Sequence, residues 1–277
     1  MKLQICETIS TGPASPSAAQ QAYLEGALRR RRQIRVCRAM LLILILALWE
    51  LAASLGLIDR FLFSSPSLIG ACLVSMAADG SLFLHTGVTL LETLASFAAC
   101  TFLSLACALL LWSWRGAAQV LEPFLVLLNS LPKSALAPLL IVWLGNSMKT
   151  IIVAAVSVAL FGSILTLYTG FSRTDPEKVR LIASLGGSRC DVLLRLLLPG
   201  SLPLIISSMK VNIGLCLVGV IIGEFLSARA GLGYLITYGS QTFAMTMVMT
   251  AIVVLCGVSV LLYQCVAWAE GRLGEYK

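Results

Sequence analysis

The sequence predicts an all-α, polytopic membrane protein of about six transmembrane helices, and three observations carry that prediction. Of 277 residues, 58% are hydrophobic and only 12% are charged, with a mean hydropathy of +0.94, far above an ordinary soluble domain. The apolar residues fall in successive runs long enough to cross a bilayer. The basic residues gather in the N-terminal tail and in short loops, as the positive-inside bias requires, so the net charge of +7 argues for a bilayer partner and against nucleic acid.

Residues 1–38 form a basic tail. Its first 28 residues are rich in Ser, Ala, Pro and Gln without sustained periodicity and are expected to be disordered. "RRRRQIRVCR" then places six arginines in ten positions as a topology signal. The first span follows as "AMLLILILALWELAASLGLI", Ala39 to Ile58, about 30 Å long at about 1.5 Å per residue. Its length and its distance from Met1 argue against a cleavable signal peptide.

Five further apolar segments lie near 84–112, 119–144, 149–170, 200–226 and 243–268, so the membrane region covers 39–270. Six spans put both termini on one side. That side collects the Arg-rich tail, Arg115, the 171–199 segment and the short end at 271–277, whereas Arg60, Arg229 and Lys149 are left for the other; the positive side is cytoplasmic. Pro132 and Pro138 interrupt the third span, a break tolerated where freed carbonyls meet protein or a water-filled route, which makes this span the candidate pathway lining. No internal repeat is visible, which weakens an inverted-repeat carrier within one chain. The nine cysteines contain no CxxC and His85 is the sole histidine, so no metal site or disulfide framework is indicated.

Between spans four and five, residues 174–199 read as an elbow of two short helices around a glycine corner. Thr174 or Asp175 caps the first, Pro176 suits its first turn, and Thr174 with Glu177 fits a capping box. Gly186 and Gly187 stop it, Ser188 caps the second helix with Asp191 near its positive end, and Pro199 with Pro203 is expected to break that helix before span five. Each helix is about 10 residues, on the order of 15 Å, and cannot cross a bilayer. Val179, Ile182 and Ala183 share one apolar face, and Val192, Leu193, Leu196 and Leu197 line the other helix. Such an elbow either lies in the lipid interface or docks into a groove on a soluble partner; caps, glycines and a sharp exit favour the fixed shape a partner needs.

Gly186, Leu196 ten residues on, and Leu198-Pro199 match the spacing of the EAA loop of ABC importer permeases, and "ASLGGSRCDVLLRLLLPGSLPLI" resembles the form in the nitrate/sulfonate/bicarbonate (taurine-type) group. The resemblance extends through "LWEL", "SSPSLIGACL", "NSLPKSALAPLLIVWLG", "FGSILTLYTGF" and "VGVIIGEFLSARAGLGYLI" in order. It implies a non-catalytic permease chain in a bacterial inner membrane, two copies of which enclose the pathway. Each elbow would sit on one of two cytoplasmic ATPase subunits, and a periplasmic binding protein would deliver a small solute, for example a sulfonate or nitrate. ATP and Mg would belong to the ATPase, and this chain carries no GxxxxGK[ST] loop and no cofactor of its own. The ATPase-coupling residues would be Glu177, Arg180, Ile182, Ala183, Gly186, Gly187, Leu196 and Pro199. Arg180-Leu181-Ile182 stands where the family has Glu-Ala-Ala, a sign reversal that Glu177, one turn away, partly offsets.

Charge inside a span costs roughly 2.5–3.5 kcal/mol on insertion scales, so intramembrane acids and bases are expected to face protein or pathway. Glu50, Glu92, Lys133 and Glu224 are those candidates. Glu92 and Lys133 are expected to pair or to face the cavity, with a helix-end position for each as the alternative. His85 is expected at an interface, Lys210 to snorkel, and Gly231 with Gly233 to form a tight turn before the last span. Two other functions remain open at this point: an ion-coupled carrier, suggested by the acids, and a membrane scaffold whose elbow recruits a partner.

Overall fold

The structure, a computed structural model, describes residues 18–274, and among them every regular element is helical. The chain falls into two units, residues 1–58 and 59–277. The first consists of α1 (Ala18–Ser54), whose apolar side chains from Met40 to Ile45 are exposed. Residues 18–38 are therefore helical where a disordered tail is expected, because the arginine run continues the helix of the span that follows it. Residues 1–17 and 275–277 of the expected terminal segments lie outside the described residues.

The second unit opens with two short helices, α2 (Arg60–Phe63) and α3 (Pro66–Ala78); the Ser65 hydroxyl caps α3 by accepting the Leu68 N–H at 3.4 Å. Next come α4 (Ser81–Ser113), α5 (Arg115–Ser130), a 3₁₀ turn at Lys133–Leu136, α6 (Ala137–Leu144) and α7 (Met148–Ser172). The chain continues through α8 (Pro176–Ser184), α9 (Arg189–Val192), a π-helical turn at Leu193–Leu197, α10 (Leu198–Ser227), α11 (Leu232–Gln241) and α12 (Met245–Gly274).

Among the described residues five helices are long and apolar enough to cross a membrane: Arg32–Ser54, Ser81–Ser113, Met148–Ser172, Arg189–Ser227 and Met245–Glu270. The sixth expected span, 119–144, is a broken pair instead. Leu131 adopts an extended conformation, as the residue before a proline must, and the helix resumes only after a 3₁₀ turn with Pro138 in the first turn of α6.

Helices α4, α7 and α10 pack together at the centre, and the face that α4 buries is mostly small and polar rather than greasy. The buried stripe of α4 is Thr89, Glu92, Thr93, Ser96, Cys100, Ser104, Ala108 and, at its end, Leu111, at helical spacing, while Phe83, Leu84, Leu91, Leu94 and Phe102 are exposed. A soluble helix would be arranged the other way round. In lipid the tails are as apolar as leucine, so helices associate through close backbone approach and interhelical hydrogen bonds. Both devices are present. A Cβ on Gly219 would stand 2.6 Å from Ala155 Cα, and the Asn212 amide donates to Ser163 Oγ at 2.8 Å, joining α10 to α7. Larger apolar side chains pack where α11 and α12 meet α10, around Ile213, Leu217, Leu232 and Val258.

Candidate functional site

The two ends of α10, on the order of 45 Å apart at about 1.5 Å per residue, hold the two candidate sites. At its N-terminal end the elbow is rigid through local contacts. The Asp175 carboxylate accepts the Glu177 N–H at 2.9 Å, so Asp175 is the cap and the expected Thr174–Glu177 box is not formed. Gly186 takes φ +82°, and the Gly187 N–H returns to the Ile182 carbonyl at 2.9 Å; a Cβ on Gly187 would stand 2.5 Å from Ile182 Cγ2. Ser188 caps the second helix as expected, and with Asp191 it forms a reciprocal box that was not expected, the Ser188 N–H donating to Asp191 Oδ2 at 2.9 Å and the Asp191 N–H to Ser188 Oγ at 3.3 Å.

The helix started by that box does not break at Pro199 or Pro203. It runs on into α10, and the π turn explains how: the Leu198 N–H reaches back to the Leu193 carbonyl, one residue further than in an α-helix. The wider turn lies immediately before Pro199 and absorbs its missing N–H and its ring. The second helix of the elbow and the span that follows are thus one continuous element.

The apolar faces also differ from expectation. Val192 and Leu197 are buried and Leu193 and Leu196 half-buried; Leu197 packs against Ala108, Leu167 and Phe171, so this face belongs to the bundle. Ile182 is half-buried, whereas Glu177, Arg180, Ala183, Gly186 and Pro199 are exposed and Gly187 is half-buried. The large apolar side chains the elbow leaves open are Leu181, Leu185 and Leu194, at 60%, 79% and 63% exposure. They form an exposed apolar surface that the sequence pattern did not reveal.

At the other end of α10, the turn into α11 is held by three consecutive backbone donors, each taken by a side chain from a different position. The Gly231 N–H donates to His85 Nδ1 at 3.0 Å, the Leu232 N–H to Thr89 Oγ1 at 2.8 Å, and the Gly233 N–H to Glu224 Oε2 at 2.5 Å. The Thr89 hydroxyl in turn donates to Glu224 Oε1 at 2.7 Å, and the His85 ring stacks on Tyr234 with centroids 5.8 Å apart. Glycine is required here. Gly231 takes φ +120°, and a Cβ on Gly231 or Gly233 would run into the Glu224 side chain.

Glu224 is therefore a structural acceptor for an otherwise unpaired helix start. Glu92, one turn beyond Thr89 on the same face of α4, lies beside the Glu224 carboxyl. It is 2% exposed, and apart from the Glu224 carboxyl its Oε2 has no hydrogen-bond partner. Leaving such a group unsatisfied costs roughly 1–3 kcal/mol, more when charged. The expected Glu92–Lys133 pair is not formed: Lys133 opens the 3₁₀ turn in the broken third segment, half-buried, and donates to Asn129 Oδ1 at 3.2 Å. Pro132 and Pro138 flank that turn. Lys210 pairs with Glu270 of α12, and Glu50 is half-buried on α1.

His85 and Thr89 were the residues that sequence reasoning missed as site members. The signal available for them was the spacing 85, 89, 92, which places three polar side chains on one face of an apolar helix.

Residues 101–273 match the family described as the binding-protein-dependent transport system inner membrane component. The chain belongs to that family. It is an ABC transporter permease, a multi-pass protein of the inner membrane, which decides between the importer reading and the carrier and scaffold alternatives. This permease is 30% identical over 241 residues to a probable ABC transporter permease of Haemophilus influenzae, covering 87% of this chain and 98% of that one. It is 27% identical to the putative aliphatic sulfonates transport permease SsuC of Escherichia coli, over 79% and 84% of the two chains. In fold it is similar to an inward-facing structure of the MetNI methionine ABC transporter, with a TM-score of 0.55, 19% identity and coverage of 66% of this chain and 92% of that one. Among the described residues no group of three or more His, Cys, Asp or Glu could hold a metal ion.

Proposed function

We propose that two copies of this permease enclose a pathway for a small solute and that the elbow couples each copy to an ATPase subunit. Both termini and the elbow face the cytoplasm, ATP and Mg are held by the ATPase, and a binding protein delivers the solute on the other side. The broken segment with Pro132, Lys133 and Pro138 lines the route. A sulfonate or another small anion is the cargo class suggested by relatives named for aliphatic sulfonates and taurine.

The observation that supports this reading most is the elbow itself. Three leucines, Leu181, Leu185 and Leu194, stand exposed on a frame fixed by Asp175, Gly186 and the Ser188–Asp191 box, and the frame is continuous with α10. A rigid apolar knob at the end of a long helix suits transmission of a partner's movement into the bundle.

The test is co-purification of the wild-type chain and a Leu185→Arg variant with the candidate ATPase, followed by ATPase activity in lipid. Association and activity should be present in wild type and lost in the variant while both chains remain monodisperse. Equal association in both would overturn the elbow as the coupling site.

A further inference from the structure

The first span begins with more than a topology signal needs. Lys and Arg serve that signal alike, yet all six basic positions between 29 and 38 hold arginine, and no acidic residue follows before Glu50. The arginine fork differs from a lysine ammonium in meeting two oxygens of one phosphate at once. On α1 the side chains of Arg29, Arg30, Arg32, Arg35 and Arg38 are exposed, and the ion pairs among the described residues, Arg195–Asp191 and Lys210–Glu270, leave this helix out.

Depth and shape name the source of that phosphate. The crossing segment starts at Arg32, and from Arg32 to Arg38 the helix rises about 9 Å, close to the roughly 5–8 Å of headgroup layer on each side of the hydrocarbon. Arg30, Gln33, Ile34, Cys37, Arg38 and Leu41 line one shallow groove, and the same exposed row continues through Ile45 and Leu48. The groove thus passes from guanidinium to leucine. A soluble anion or a nucleic acid would fill its polar end alone, whereas a phospholipid fills both.

We propose that this groove binds one anionic phospholipid, its phosphate held by Arg38 and by Arg30 reaching back along the helix, its acyl chain lying on Leu41, Ile45 and Leu48. Arg29, Arg32 and Arg35 add positive charge on the other faces of the same turns. The lipid is therefore of phosphatidylglycerol type, with no cationic group beyond its phosphate. The site shares no residue with the elbow or the clamp and goes beyond the permease reading: it ties α1 to the lipid around it.

The full-length chain in maltoside micelles is titrated with dioctanoyl phosphatidylglycerol, dioctanoyl phosphatidylcholine and glycerol phosphate, and bound lipid is counted by native mass spectrometry. Phosphatidylglycerol should bind about tenfold tighter than phosphatidylcholine, and glycerol phosphate at equal concentration should not displace it. A double Arg30→Gln and Arg38→Gln variant should fall to the phosphatidylcholine level. The matched double change to Lys, which keeps the charge and removes the fork, should bind several-fold more weakly than wild type. Cys37→Trp, which fills the groove between the two arginines and leaves every charge in place, should weaken phosphatidylglycerol in a monodisperse protein. Arg173→Gln with Lys178→Gln removes as much charge from the elbow and should change nothing.

Equal binding of the two lipids, or wild-type binding by the Gln pair, would overturn the proposal and leave the arginines as a topology signal alone. Wild-type binding by the Lys pair or by Cys37→Trp would overturn it in favour of diffuse charge. Displacement by glycerol phosphate would overturn it in favour of a soluble anion. The measurement needs no ATPase, so it stands or falls separately from the coupling role of the elbow.

Discussion

The elbow and the clamp sit at opposite ends of α10 and are made rigid by opposite means. In the elbow every stabilising contact is short in sequence: Asp175 to Glu177, Gly187 to Ile182, Ser188 to Asp191. In the clamp the partners are far apart, with His85 bonded to Gly231 and Thr89 to Leu232 and Glu224. The elbow is exposed and the clamp buried. Water competes for every hydrogen bond in the first and for few in the second, so losses should be modest in the elbow and severe in the clamp.

The largest effect is expected from Glu224→Ala. It would orphan the Thr89 hydroxyl and the Gly233 N–H and leave a void, a combined loss of about 3–5 kcal/mol, checked by thermal unfolding in detergent. A wild-type melting curve for this variant would break the comparison at its strongest point. Gly231→Ala comes next, at about 1–3 kcal/mol, because the side chain is disfavoured at φ +120° and meets the Glu224 carboxylate. Ser188→Ala should cost about 1 kcal/mol, the usual value of one lost cap, and the same melting experiment ranks it below both clamp variants. The smallest stability effect belongs to Leu185→Arg, within about 0.5 kcal/mol, since the side chain is 79% exposed. If this variant both melts like wild type and loses the ATPase, the elbow is a docking surface and not a structural element.

Much of the elbow was legible in the sequence because its determinants are neighbours. Pro176, Gly186, Gly187 and the Ser188 cap each act over a few residues and act as expected, while the capping box falls at Ser188–Asp191 and not at Thr174–Glu177. Two features were not legible there. Pro199 and Pro203 do not break the helix; a π turn one step earlier accommodates the Pro199 ring, and such a turn has no composition signature, while Pro203 is carried within α10. The exposed leucines are 181, 185 and 194, because which face of a short amphipathic helix is covered depends on where α4 and α7 lie. Glu92 shows the same limit: reasoning by charge paired it with Lys133, but packing of α4 against α10 set it beside Glu224 instead.

The sequence by itself determined the class of protein, the crossing helices other than the broken third, the elbow's place and the family, because hydropathy and capping are sums over adjacent residues. Only the tertiary structure decided that α4 buries hydroxyls and a carboxyl, that Glu224 anchors the start of α11, and that Glu92 lies beside Glu224. Those facts arise mainly from contacts between elements far apart in the chain, such as Thr89 with Glu224 and Leu232, where the apolar solvent offers no pattern to read: in lipid, burial no longer follows hydrophobicity, and close packing and hydrogen bonds choose the partners.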